Sequence, residues 1–424
     1  PAAATVQECG CALLRELAWS SPEDRVRIAQ QGGAGLVVQA LRAHPSLAPV
    51  QVFGCAVLQC LASADHSCQE EIASLGGAAL VLHALAASPA DVAVQESGVG
   101  ALHGLSLDSP GNSAAIASGS GIELVLRALL AHRAAEQVQV WGCATLQSLA
   151  SQSEEHRSRI ICQGGIELVV RAMEEHPAAA KLQAFGCASL QAFACDSSGN
   201  RARVISKAGV ELVLLALRAH PLVTDVQFSG FGALQDLVCH GAAARASACS
   251  LGGVELVMNA LASHRPVAEV QECACAALRG LLGSSESALR QRDALEHVGQ
   301  ALRSALGASE AICVEAVLRR LGRGSLDAGV RAVCLGGVRR LLEVMEAHSG
   351  EADVLEHAVL GLRTLVTGSA CTRRTFASLG GFEAVLAALR APDAPAAVAE
   401  ACCAILAFLA CGSGADRVRA VSLG

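Results

Sequence analysis

Cys9 and Cys11 bracket a single glycine in VQECGCALLRELA, a stretch that begins at Val6, and the chain carries nineteen cysteines in all. Two thiols this close suit a soft metal or a redox couple, provided they converge. A structural zinc site needs four converging ligands. Histidines form a second set: His44, His132, His176, His220, His264 and His348 recur at intervals that are multiples of 44 or close to it. A row of this kind invites a metal-binding or pH-sensing reading. Other chemistries leave no trace. There is no CxxC, no GxxxxGK[ST] phosphate loop and no HExxH, and no Ser/His/Asp or Cys/His set reads as a catalytic unit. The residues therefore predict no catalytic group, no cofactor site and no metal site, once the elements that position the thiols and imidazoles are considered.

Those elements repeat. VQECGCALLRELA at Val6 returns as VQVFGCAVLQCLA at Val50, VQESGVGALHGLS at Val94 and VQVWGCATLQSLA at Val138. LQAFGCASLQAFA at Leu182, VQFSGFGALQDLV at Val226 and VQECACAALRGLL at Val270 keep the 44-residue step. Weaker copies follow at Glu310, Val354 and Val398, after steps of 40, 44 and 44. Glycine pairs run in phase, at Gly32-Gly33, Gly76-Gly77, Gly164-Gly165, Gly252-Gly253, Gly336-Gly337 and Gly380-Gly381, with weaker forms at Gly121 and Gly209. Each unit reads as three helices. A short polar helix such as SPEDRVRIAQQ opens with Ser, Pro and Glu, which suit a helix start. The glycines end it and reverse the chain. An amphipathic helix such as GIELVLRALLAH follows, and then the VQ helix. No segment shows the period-2 alternation of a half-buried strand.

A glycine break, an apolar helix and a VQE-x-A-A-x-A-L-x-x-L-A helix resemble the armadillo repeat. Val6, Gln7, Glu8, Leu14, Leu17 and Ala18 match that motif, and the resemblance covers essentially the whole chain. The HEAT repeat fits less well because of the glycine break. In style the chain is similar to the vacuolar armadillo proteins and to the armadillo region of the Roco leucine-rich-repeat kinases. The resemblance implies an all-α fold, a right-handed α-solenoid of three-helix armadillo repeats. It implies one continuous array over residues 1–424, truncated mid-repeat at both ends, with an irregular repeat around 284–310.

Numbering the VQ helix from its valine as position zero, positions 0, 4, 5, 8, 11 and 12 form one stripe at 100° per residue and predict the core face. Position 5 holds Cys11, Cys55, Cys143, Cys187, Cys275 and Cys403, but also Val99 and Phe231. A column that accepts Cys, Val and Phe wants an apolar group. Cys9, at position 3, lies about 160° away around the helix. Gln at position 1 is expected to bond loop backbone. The histidine column closes the second helix and is expected to meet the free carbonyls and negative dipole of that helix end. Glutamates at Glu123, Glu167, Glu211 and Glu255 open the same helix and suit its positive end.

Positions 2, 3, 6, 9, 10 and 13 are left to face outward. In armadillo arrays the third helix lines the concave groove, so the resemblance implies contacts there. Position 9 carries Arg15, Gln59, His103, Gln147, Gln191, Gln235, Arg279, Arg319 and Arg363, and position 3 adds Phe53, Trp141 and Phe185. Amides and guanidiniums at regular steps can bond an extended peptide while aromatics anchor its side chains. Nuclear-import adaptors resemble this array but repeat a tryptophan at position 6 and an asparagine at position 10. Position 6 is Ala or Gly in the seven strong copies, and Asn112, Asn200 and Asn259 all lie outside that column.

Net charge is −7, and Lys181 and Lys207 are the only lysines. That is a poor footprint for nucleic acid. The apolar run Ala401 to Ala410 is too short for a membrane span. Cysteines this sparse fit an intracellular, reducing compartment, with the cytoplasm expected. Between Arg279 and Arg340 ten arginines face six acids, a modest basic patch that marks a hinge or docking site or ordinary repeat decay. The reading is a non-catalytic scaffold that binds protein or peptide partners. Its rival is the helical arm of a larger multidomain enzyme such as a Roco-type kinase. Oligomeric state is left open.

Overall fold

The computed structural model describes residues 3–63, 66–239, 241–282, 327–368, 373, 376–391 and 395–412. All regular structure among them is α-helix. The chain divides into two compact units, Pro1–Lys207 and Ala208–Gly424, and the division falls inside one repeat, between its first and second helices. The fold is an α-solenoid of three-helix armadillo repeats. One full repeat runs Pro110–Ser118, Gly121–Ala131 and Glu136–Gln152 as first, second and third helix.

Local chemistry sets each boundary. In three repeats the first helix starts where a serine hydroxyl accepts a backbone N–H three residues on: Ser21 from Asp24 at 3.3 Å, Ser153 from His156 at 3.4 Å, Ser197 from Asn200 at 3.2 Å. It ends in a left-handed residue, supplied by Gly32, Gly76, Gly164, Gly252 and Gly380 at φ between 74° and 87°. Where the sequence lacks that first glycine, Ser120 (φ 63°) and Ala208 (φ 61°) take the same conformation at a steric cost. At Gly336-Gly337 the expected break does not occur, and one helix runs Asp327–Ala347. Glycine permits a left-handed turn but does not compel one; it also tolerates helical angles at about 1 kcal/mol each.

Third helices stack side by side and carry the core. In the first unit these are Ala4–Ser20, Ala48–Ala62, Val92–Ser106, Glu136–Gln152 and Ala180–Ala194. In the second they are Thr224–Val238, Ala268–Leu282, Ala352–Gly368 and Ala396–Gly412. The predicted core stripe is buried: Val138, Gly142, Cys143, Leu146, Leu149 and Ala150 are all inside. Each such leucine contributes roughly 1.5–3 kcal/mol. Glycine at position 4 admits the facing second helix, since a Cβ on Gly142 would meet Leu129 Cδ2 at 2.4 Å.

The position-1 glutamines do more than touch loop backbone. Gln139 Nε2 donates to Leu129 O and His132 O, both at 3.0 Å, closing the end of the preceding helix. Gln51, Gln95, Gln183, Gln227 and Gln271 make the same fork. The histidines bond elsewhere than expected. His132 Nε2 meets Pro89 O at 2.8 Å, His176 meets Arg133 O at 2.7 Å and His264 meets Pro221 O at 2.9 Å, each 43 residues back. Because the fork already occupies the carbonyls at its own helix end, the imidazole reaches to the preceding repeat. The second-helix glutamates also cross between repeats. Glu123 accepts from Arg159 at 2.8 Å and Gln163 at 2.7 Å, Glu211 accepts from Ser247 at 3.1 Å, and Lys207 sits 3.2 Å from Glu167.

Three burial assignments change. On Ala4–Ser20 the predicted core residues Val6 (64% exposed) and Leu17 (40%) lie open, since among the described residues this helix has a third-helix neighbour on one side only. Positions 6 and 10 are closed in the middle of the stack, as at Ala144 and Ser148, because neighbouring third helices cover both flanks. Cys403 is exposed and Cys402 buried, since no described helix stacks beyond Ala396–Gly412 to cover position 5. The copy at Glu310, the 284–310 irregularity and Arg319 lie outside the described residues, as does the side chain of Arg279.

Replacing Gln139 with alanine removes the side-chain donor to the buried Leu129 carbonyl and one of two donors to the His132 carbonyl, which keeps Ala135 N–H at 3.0 Å. A loss of about 1–3 kcal/mol is expected, read from urea unfolding. Faster amide exchange should be centred on Gly121–Ala131. Gln139→Glu should be no better, because a carboxylate cannot donate.

Candidate interaction strip

Once the flanks of each third helix are covered, its open surface narrows to a strip at positions 3, 9 and 13, with position 2 open in other repeats but buried at Val140 and Ala184. In the first unit Arg15, Gln59, His103, Gln147 and Gln191 all lie there, half-buried. Phe53, Trp141 and Phe185 are half-buried beside them. In two places position 9 of one repeat leans over position 3 of the next. The Arg15 guanidinium lies 5.0 Å from the Phe53 ring centre. His103 stacks 5.7 Å from Trp141 and meets Phe185 edge-on at 5.6 Å. Gln59 lies across Gly100, where an added Cβ would fall 2.6 Å from its Oε1. The aromatics are therefore partly covered by their own chain and are not bare anchors.

The glutamines are less engaged. Gln147 Nε2 donates to Ser151 Oγ at 3.2 Å. The side-chain amides of Gln59 and Gln191 make no hydrogen bond among the described residues. In the second unit Gln235 and Arg363 are half-buried at position 9, and Phe228 is 45% exposed at position 2.

Lys181 was not among the residues predicted for the strip. Its Nζ sits 4.1 Å from the Trp141 ring centre, a cation–π contact between repeats. Lys181 stands one residue before the helix's position zero and four before Phe185. That i, i+4 relation was the available signal. Burial pushes the His103 imidazole down to about 4; a backbone hydrogen bond at Ala144 opposes the shift and the Lys181 charge adds to it. His103 is thus neutral at pH 7. Among the described residues no three His, Cys, Asp or Glu side chains are grouped to hold a metal ion. The thiols are spread along the core column, and burial pushes Cys143 and Cys187 up to about 12. Burial, followed by a weaker contribution from Cys11, does the same for Cys55.

With the repeat geometry in view, comparison with known proteins gives a direct match. The pattern of the LRRK2 ARM repeat matches residues 30–297, well over half of the chain. The chain belongs to the LRRK2 ARM repeat family. Among solved structures it is similar to an engineered protein at TM-score 0.66 and 22% identity, covering 97% of each chain. That likeness is one of fold. A designed armadillo repeat protein in complex with peptide (KR)4 aligns at TM-score 0.45 and 15% identity, over 54% of this chain and 91% of that one. No curated protein matches the sequence. No single helix among the described residues is long and apolar enough to cross a membrane. Two bent helix pairs meet the length and composition criteria only when joined.

Two measurements bear on the strip and the thiols. His103 is held neutral in the fold, and its ordinary value is 6.5. The unfolded chain therefore takes up a proton first, so stability falls as pH drops from 6.5 toward 4 and this component levels off below that. His103→Gln should remove that share of the acid loss, read as a smaller change in urea midpoint between pH 7 and pH 4.5. Under native conditions at pH 8, maleimide should label exposed Cys9 and Cys162 rapidly, while Cys55, Cys143 and Cys187 react only after denaturation.

Proposed function

We propose that the chain is a non-catalytic protein-binding scaffold whose third-helix strip holds an extended segment of a partner protein. The supporting observation is the row of half-buried glutamines at position 9 in three of four successive repeats, Gln59, Gln147 and Gln191, with His103 in the other. A primary amide offers both a donor and an acceptor, as a peptide group does. An extended chain presents such groups along its whole length at about 3.3 Å per residue. Repeats about 8–10 Å apart thus meet it every three residues or so. Arg15 and Lys181 are held against aromatic rings and add fixed positive charge at two points on the same face. The second unit offers Gln235, Arg363 and, in the sequence, Arg279 for the same role. An intracellular, cytoplasmic setting and the absence of nucleic acid among the partners belong to the same proposal, on the charge and thiol content of the sequence.

A second reading is the helical arm of a larger multidomain enzyme of the Roco-kinase type. The family match over residues 30–297 favours it. It is compatible with the first reading, since an arm of this kind also works by binding.

The test is affinity capture with wild-type chain and with the triple variant Gln59→Ala, Gln147→Ala, Gln191→Ala. Circular dichroism must show that the variant stays folded. Loss of captured partners by tenfold or more is expected. An unchanged capture profile on a folded variant would remove the strip from consideration.

A further inference from the structure

Three pairs of neighbouring repeats carry the same marker of adjacency. The histidine that closes a second helix bonds the carbonyl that follows the equivalent position one repeat earlier, 43 residues back, as at His132–Pro89, His176–Arg133 and His264–Pro221. His348 makes this bond too, but to Arg265 O, at 2.8 Å and 83 residues back. Arg265 directly follows His264, so the repeat beneath His348 is the one that contains His264. The second helices agree: Gly253–Ser263 packs on Asp327–Ala347, and Arg265 lies 3.5 Å from Glu343. The third helices agree as well. Ala268–Leu282 packs directly on Ala352–Gly368, with Glu272 Oε1 3.6 Å from His357 Nε2.

We propose that these two repeats are consecutive in the stack, so that the sequence between Leu282 and Asp327 is 40 residues longer than the same interval of a regular repeat. The register supports this. The step from Val270 to Val354 is 84 residues; subtracting 40 leaves the standard 44. On that subtraction Gly337 falls 27 residues after Val270, as Gly253 does after Val226, and His348 falls 38 after it, as His264 does after Val226. Removing residues 286–325 would leave LLGSSLDAGVRAVCLGG, equal in length to LVCHGAAARASACSLGG of the regular repeat at Leu237. On the sequence-based ladder the position-9 residue after Arg279 is Arg319; in the stack, the third helix packed on Ala268–Leu282 is Ala352–Gly368, whose position 9 is Arg363.

Two experiments test it on different chains. In the first, a photo-crosslinking residue replaces Arg265 in the intact chain, and the crosslinked peptides are mapped by mass spectrometry. Capture of residues 339–351 is expected. Capture of residues 300–310, where a 43-residue spacing would place the contact, would overturn the proposal. In the second, residues 286–325 are deleted from the whole chain. The shortened protein should unfold cooperatively, with amide protection in Ala268–Leu282 and Ala352–Gly368 within about twofold of the intact chain. A hundredfold loss of protection in both helices would show that the deleted stretch supplies a rung.

Discussion

Two carbonyls at the end of each second helix set the terms for the rest of the structure. Left bare inside the stack, the first would cost about 1–3 kcal/mol; the second also accepts from the connection, as His132 does from Ala135 N–H at 3.0 Å. The glutamine at position 1 answers both with one amide group, and it can do so only if the third helix starts at a fixed distance and angle from the second. That demand fixes the connection, which fixes the tilt of the third helix, which places valine, cysteine and leucine on the inside. The glutamine is 10 residues after one acceptor and 7 after the other in every described case, which is how one side chain holds a constant geometry through the array.

Once the glutamine has taken the near carbonyls, the histidine is free to work between repeats. Together with the glutamate contacts to the following first helix, it ties nearest neighbours and nothing more distant. Stability in such an array is a sum over repeats and their interfaces. This is why a single bond, at His348, can report which repeat lies beneath it.

Most of the helical layout was legible in the sequence. The glycine pairs, the serine caps and the periodic apolar residues named the helices, and the mixed occupancy of position 5 ruled the thiols into the core before any geometry was known. What could not be read were relations between repeats. Helical periodicity places Ala144 and Ser148 outward on an isolated helix; only two flanking helices close them off. It gives His132 a capping role but not the direction of its reach. It offers Trp141 as a bare anchor, whereas Lys181 from the next repeat lies over its ring. The expected break at Gly336-Gly337 failed for a related reason, since glycine allows a turn that other contacts must select.

Trp19 and Trp141 are the chain's two tryptophans, and there is no tyrosine. Trp19 is 71% exposed near one end, while Trp141 is half-buried under an ammonium group and against an imidazole. The ultraviolet emission of this protein is therefore divided between two indoles on strip positions, one water-facing at position 13 and one half-buried at position 3. A native optical reporter is built into the surface at issue, with no dye or tag required.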